Sequence, residues 1–266
     1  MLPLDKGQSF LIFYQENKML ITLLTVLACG DKATDTATTN TDTTDTNTTD
    51  TNDTTEVDQC AGIEGSDGIG MTGSIVFEDG IEAEGNVRIQ MCNSERCYVA
   101  RWSDDGFCFP EGTLTANMPY AFDIVPTVDK EKYANPLTII TPSDSFSLAE
   151  PIVIPVFTQQ GTNSADFDAG NGLIITADSN LPETVQSVPL DLESGGLPLE
   201  DFTTESIIGA WYLGPFDTIV EPAASITLSN DKIVAGNTYT VHNGDYENKV
   251  WTQTAEVTAS VDGYLE

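Results

Sequence analysis

Residues 31–58 read DKATDTATTNTDTTDTNTTDTNDTTEVD. Threonine, aspartate and asparagine fill the stretch, and Val57 near its end is its only aliphatic side chain larger than alanine. Such a segment cannot bury enough apolar surface to offset its chain entropy, so it belongs to no core and is expected to be disordered. It divides the chain into a short N-terminal piece and a long remainder, and places the folded domains from residue 60 onward. As a flexible coil of ~28 residues it spans roughly 30 Å, and the repeated aspartates extend it further. Asp45, Asn47 and Asp50 alternate with threonine as calcium ligands do, but no glycine stands at the sixth loop position and no acid at the twelfth. The segment reads as a spacer.

Ahead of the spacer, Met19–Leu27 (MLITLLTVL) is an apolar or threonine run with Lys18 before it and Ala28 after it. It is too short to span a bilayer, which needs about 20 residues, and has the form of the apolar region of a secretory signal. The string Val26-Leu27-Ala28-Cys29 resembles the bacterial lipobox. That resemblance implies a signal peptide over residues 1–28, lipid attachment at Cys29, and Cys29 as the mature N-terminus of a lipoprotein. Two or three acyl chains anchor stably where one is marginal. Leu2–Tyr14 is a long, partly apolar lead-in, which allows a translation start downstream of Met1. Gly30, where an aspartate would signal inner-membrane retention, leans toward the outer membrane.

Charge narrows the function. With 10 Lys+Arg against 42 Asp+Glu the formal net charge is −32. A nucleic-acid surface needs clustered cations to replace counterions, and a polybasic membrane patch needs the same. Neither fits this chain. The expected partners are the membrane, through the lipid anchor, and an envelope protein or a glycan.

Residues 60–157 carry no helical periodicity. Short alternating runs separated by turn signals indicate an all-β unit. The expected strands are Gly73–Phe77, Asn86–Met91, Cys97–Trp102, Phe107–Phe109, Tyr120–Ile124 closed by Pro126, Leu137–Ile140 and Ile152–Phe157. About seven strands at this spacing suggest a β-sandwich. The order Gly-x-Ile-Val, Asn-Val-Arg-Ile-Gln, Asp-Asp-Gly-Phe-Cys-Phe, Pro-Tyr-Ala-Phe-Asp-Ile resembles the carboxypeptidase regulatory-like (transthyretin-like) β-sandwich over Met71 to Phe157. The resemblance implies a non-catalytic accessory module. The related hydrolases use several histidines and a C-terminal Tyr-Arg-Gly-Ser, and this segment has neither.

Four cysteines remain after Cys29: Cys60, Cys92, Cys97 and Cys108. An even set in an exported domain implies two disulfides with three possible pairings. Cys92 ends one strand and Cys97 begins the next across a four-residue loop, which places them opposite. Alternation puts Cys92 with Arg88 and Gln90, and Cys97 with Arg101, on the polar side. The reading is therefore Cys92–Cys97, leaving Cys60–Cys108. A zinc site is the rival, but two of the four ligands are widely spread and exported thiols oxidise.

Residues 158–266 read as a second β-sandwich. Its expected strands are Gly172–Ala177, Val185–Leu190, Ser206–Leu213, Ser225–Leu228, Asn237–Val241 and Val250–Val257, with Gln159–Gly172 as a polar connector and Asn243-Gly244 and Asp262-Gly263 as hairpin turns. Ala210 to Pro215, Glu221 to Leu228, Trp251 and Asp262-Gly263 together are similar to ZU5-like modules, although the order Gly214-Pro215 departs from that pattern. The fold class is thus all-β: two small sandwiches after a signal peptide and a disordered tether.

Chemistry-bearing groups are sparse. His242 is the only histidine and reads as a surface residue beside the Asn243-Gly244 turn. No nucleophile elbow, zincin helix or P-loop occurs. Asp104 and Asp105 pair as glycosidase carboxylates do, but an Asp-Gly turn accounts for them. Asp166, Asp168 and Asn171 hint at a cation site within a connector. Trp102, Trp211 and Trp251 suit either a sugar-stacking platform or a core. The reading is a binding or structural protein rather than an enzyme, with no catalytic residue, metal or cofactor. The alternatives are an accessory glycan- or peptide-binding module for a partner envelope enzyme, and a hydrolase using carboxylates alone.

Overall fold

A computed structural model describes residues 9–14, 60–63, 65–192, 194, 196–202, 204–214 and 225–266. Cys29, the spacer and its calcium candidates Asp45, Asn47 and Asp50 lie outside the described residues. The described chain is all-β, with a single 3-10 turn at Thr204–Ser206, and no helix among these residues is long and apolar enough to cross a membrane.

The first strand, β1 (Ser9–Tyr14), belongs to the second unit. The first unit comprises β2 (Ile69–Gly73), β3 (Ile75–Phe77), β4 (Val87–Cys92), β5 (Cys97–Val99), β6 (Arg101–Ser103), β7 (Gly106–Leu114), β8 (Tyr120–Pro126), β9 (Leu137–Ile140), β10 (Phe146–Ser147) and β11 (Ile152–Ile154). Two four-stranded sheets, ordered β10-β2-β7-β6 and β5-β4-β8-β9, enclose a core that includes Met71, Ile89, Met91, Phe107, Phe109 and Phe122. β3 and β11 form a separate parallel pair.

Two expected strands each prove to be two, because the chain changes sheets. Gly73–Phe77 breaks at Ser74, whose carbonyl accepts the Ile152 N–H at 2.9 Å. Gly73 permits the close pass over Phe107, since a Cβ there would lie 2.8 Å from its ring. Cys97–Trp102 breaks at Ala100, whose N–H reaches Ile89 O at 2.9 Å, so β5 stays beside β4 while β6 crosses to β7.

The second unit adds β12 (Gln159–Gln160), β13 (Ser164–Gly170), β14 (Leu173–Leu181), β15 (Gln186–Pro189), β16 (Ile207–Gly214), β17 (Ser225–Ser229), β18 (Thr238–Asp245), β19 (Val250–Thr258) and β20 (Tyr264–Leu265). The expected connector over 159–172 therefore contains two strands. In β13 only Phe167 and Ala169 are buried, and the exposed Asp166 and Asp168 beside them conceal the alternation. The hairpin expected at Asn243-Gly244 closes later: those residues are paired within β18, and the turn is Tyr246–Lys249, where Lys249 takes φ 57°. Asp262-Gly263 does form a turn, with Gly263 at φ 76°.

A six-stranded sheet, β12-β15-β16-β1-β18-β19, packs on a four-stranded sheet, β13-β14-β17-β20, around Phe167, Leu173, Trp211, Leu228 and Tyr239. A third core lies between the units. Cys92, Ala121, Leu137 and Ile139 of the first unit pack with Val188, Phe202, Ala210, Tyr212 and Tyr246 of the second. The two sandwiches thus stack face to face, with three apolar layers between the four larger sheets.

Candidate functional site

The disulfides are Cys92–Cys97 and Cys60–Cys108. Cys92 and Cys97 are direct register partners. The loop between them is held by Asn93, whose Oδ1 accepts the Glu95 and Arg96 N–H groups at 2.8 and 2.9 Å. The environment of Cys92 differs from the sequence reading. It is 1% exposed and belongs to the core between the units. Its neighbour on the same face, Gln90, is also buried. The part of that face around Gln90 and Cys92 is covered by the second sandwich, while Arg88 and Cys97 remain exposed, and Tyr246 Oη lies 3.8 Å from Cys97 Sγ. Cys60–Cys108 fastens the end of the spacer to β7, assisted by the Ile63 N–H to Glu111 O bond at 2.8 Å.

His242 is not a turn residue. It sits within β18, half-buried at a register shift after Val241. Its ring meets Phe202 edge-on at 5.4 Å, and Phe202 meets Trp251 at 5.4 Å. Burial pushes the imidazole down to about 4, so it is neutral near pH 7. Its Nδ1 is buried without a hydrogen-bond partner, as is Thr240 Oγ1 two residues earlier. The ring contact that His242 makes is with Phe202.

The three tryptophans line three different cores and form no common platform. Trp102 flanks the first-unit core, Trp211 is buried in the second-unit core, and Trp251 borders the core between units. Trp211 Nε1 donates to Gly170 O at 2.8 Å.

The carboxylates are likewise dispersed. Asp104 and Asp105 occupy the exposed β6–β7 turn. Asp166 Oδ1 accepts from Thr176 Oγ1 at 2.8 Å, and Asp168 Oδ1 accepts the Gly170 N–H at 2.9 Å, both on an outer sheet. Asn171 forms the β13–β14 turn at φ 49°. Among the described residues no group of three or more His, Cys, Asp or Glu side chains is placed to hold a metal. Asp79 accepts from Lys132 Nζ at 2.5 Å and Tyr133 Oη at 2.8 Å, which holds its carboxyl below the usual range.

Two features of the second unit stand apart from these side chains. One is an open cavity of about 470 Å³ lined by Pro189, Leu190, Asp191, Gly209, Trp211 and Asn230, among others. The other is the position of β1. It runs antiparallel to both β16 and β18, from Ser9 opposite Leu213 to Tyr14 opposite Ile207, with Ile12 also opposite His242 and Tyr14 opposite Thr240. Among the described residues, β1 links β16 to β18 in the sheet. Sequence reasoning passed over it because Ser9–Tyr14 precedes the signal-like run. Its one available signal was the apolar string SFLIFY.

No family model, curated protein or solved structure matches this chain.

Proposed function

We propose that this chain is a bacterial cell-envelope lipoprotein, anchored at Cys29, lifted from the outer membrane by the acidic spacer, and presenting two stacked β-sandwiches in a non-catalytic binding or structural role. The observation that carries this reading is the string Val26-Leu27-Ala28-Cys29, placed at the end of an apolar run and directly ahead of a segment unable to fold. The two disulfides support it, because such bonds persist in oxidising compartments outside the cytoplasm. The motif order in the first unit, similar to carboxypeptidase regulatory-like domains, supports an accessory role.

Expression of the full chain and its Cys29→Ala variant in a Gram-negative host, with labelled palmitate, tests the anchor. The expected result is a labelled protein in the membrane fraction, with the variant unlabelled and released. An unlabelled wild-type protein, or a variant that stays in the membrane fraction, overturns it. Crosslinking on intact cells then tests the role: a dominant protein partner identifies an assembly component, and exposure without a protein partner points to glycan.

A further inference from the structure

We propose that the Cys92–Cys97 disulfide is a redox-sensitive clasp at the seam between the two sandwiches, opened by a dithiol reductant under conditions that leave Cys60–Cys108 closed. The inference goes beyond the envelope reading and does not depend on acylation of Cys29.

The two disulfides offer an attacking thiolate different access. Thiol–disulfide exchange needs a line of approach to one of the two sulfurs. Cys97 is exposed, on the short strand β5 that forms the edge of its sheet among the described residues. Cys108 is 1% exposed within β7, and Cys60 is half-buried. Attack therefore falls on Cys97, and Cys92 is the sulfur that leaves.

The hairpin does not need the bond to keep its shape. The Asn93 N–H donates to Arg96 O at 3.0 Å, and Asn93 Oδ1 accepts the Glu95 and Arg96 N–H groups. Beyond the turn, Met91 and Gln90 stay in register with Tyr98 and Val99. These pairings hold the two cysteines near each other when the disulfide is open, which makes opening reversible. Cys60–Cys108, in contrast, ties together segments 48 residues apart.

The consequence of opening falls on the seam. Cys92 is 1% exposed and packs in the core between the units with Ala121, Leu137, Ile139, Val188 and Tyr212. Cys97 Sγ meets Tyr246 Oη of the second unit at 3.8 Å. Two sulfurs that are no longer bonded need more room than a bonded pair. A close-packed layer does not supply that room without shifting. Either Cys97 moves outward and gives up its contact with Tyr246, or the layer around Cys92 parts, and each loosens the second sandwich on the first.

In the exchange, one thiolate of the dithiol attacks Cys97 Sγ. A mixed disulfide forms, the Cys92–Cys97 bond breaks, and Cys92 leaves and takes up a proton, because burial disfavours its thiolate. The second thiolate then attacks the reductant's own sulfur in the mixed disulfide and releases Cys97, which is protonated in turn. The dithiol ends as a disulfide and the two cysteines as thiols, with two electrons and two protons transferred.

The test treats the full chain, in mild detergent, with dithiothreitol over a range of concentrations and times. Differential alkylation with peptide mapping reports each cysteine pair. Hydrogen exchange is followed on β9, β15 and β16 at the seam, and on β2 and β7 in the first-unit core. The expected result is that Cys92–Cys97 opens at least about tenfold faster than Cys60–Cys108. Its opening should speed exchange at the seam by about tenfold while β2 and β7 stay unchanged, and oxidised glutathione should restore both. Cys97→Ser, which leaves Cys92 a permanent thiol, should show the fast seam exchange with no reductant; if that variant fails to fold, the reduction series on the wild type decides alone. Three outcomes overturn the proposal: equal or reversed rates of opening, seam exchange that is unchanged when Cys92–Cys97 alone is open, or a folded Cys97→Ser variant whose seam exchanges like the oxidised protein. None of them bears on the Cys29 anchor, which palmitate labelling tests separately.

Discussion

Gln90 Nε2 donates to Asp123 Oδ2 at 2.8 Å across the paired strands β4 and β8, on a sheet face that the second sandwich covers. Asp123 is 3% exposed and Gln90 9%. The first unit therefore places an acid and an amide beneath its neighbour, and their mutual hydrogen bond is what makes that burial tolerable. Gln90→Leu removes this donor to the buried carboxylate. Chemical denaturation should read a loss of about 2–3 kcal/mol; a loss under about 0.5 kcal/mol would mean that the face is open to water in solution.

The disulfides should differ in weight. Cys60–Cys108 spans a sequence separation of 48 and Cys92–Cys97 a separation of 5. In the chain-entropy view the longer loop contributes roughly 4 kcal/mol and the shorter roughly 2. The double variant Cys60→Ala/Cys108→Ala should therefore unfold at lower denaturant than Cys92→Ala/Cys97→Ala. The reverse order would show that packing of Cys92 between the units outweighs loop closure.

His242 makes a pH prediction. Its ordinary pKa of 6.5 is lowered to about 4 by burial. Between those values the unfolded chain binds a proton that the folded chain refuses. Stability therefore falls as pH drops from about 6.5 to about 4, and this contribution levels off below that. His242→Phe, which keeps a ring against Phe202, should flatten this window relative to wild type in urea titrations at each pH. An NMR titration of the imidazole with a midpoint near 6.5 would contradict the burial described.

Gly209 leaves no room for a side chain: a Cβ would lie 2.2 Å from the Trp211 ring. Gly209→Ala should displace that ring from its hydrogen bond to Gly170 O and cost about 1–3 kcal/mol. Tryptophan fluorescence and the denaturation midpoint should shift together, and an unchanged pair would mean that the ring has another place to go.

Lys132 and Asp79 form an ion pair whose side chains remain substantially exposed, 43% and 29%. Lys132→Ala should shift the denaturation midpoint only slightly, and the shift should shrink further in salt. A larger shift would place the pair in a drier setting.

Much of the all-β architecture was legible because period-two alternation is a local property. Val87, Ile89 and Met91 announce the inward face of β4, and the Cys92/Cys97 hairpin follows from loop length. The same alternation cannot tell whether the opposite face meets water or another sheet, and so Gln90 and Cys92 read as exterior. His242 was misplaced for a related reason. Asn243-Gly244 is a strong local turn signal, yet strand pairing carries β18 past it to Asp245. β13 was missed because its outward residues are acids, and two inward side chains make a faint pattern.

By itself the sequence determined the short strands and the pairing of the hairpin cysteines, which depend on neighbours within a few residues, and it is the source of the expected spacer and of the signal-like run ahead of Cys29. Tertiary structure decided what depends on partners far along the chain. It stacked the two sandwiches through a third core, buried Gln90 and Cys92 of β4, separated the three tryptophans, and drew Ser9–Tyr14 between β16 and β18. The physical reason is that a strand's backbone groups and both its faces can be satisfied only by other strands, and sequence distance sets no limit on which ones.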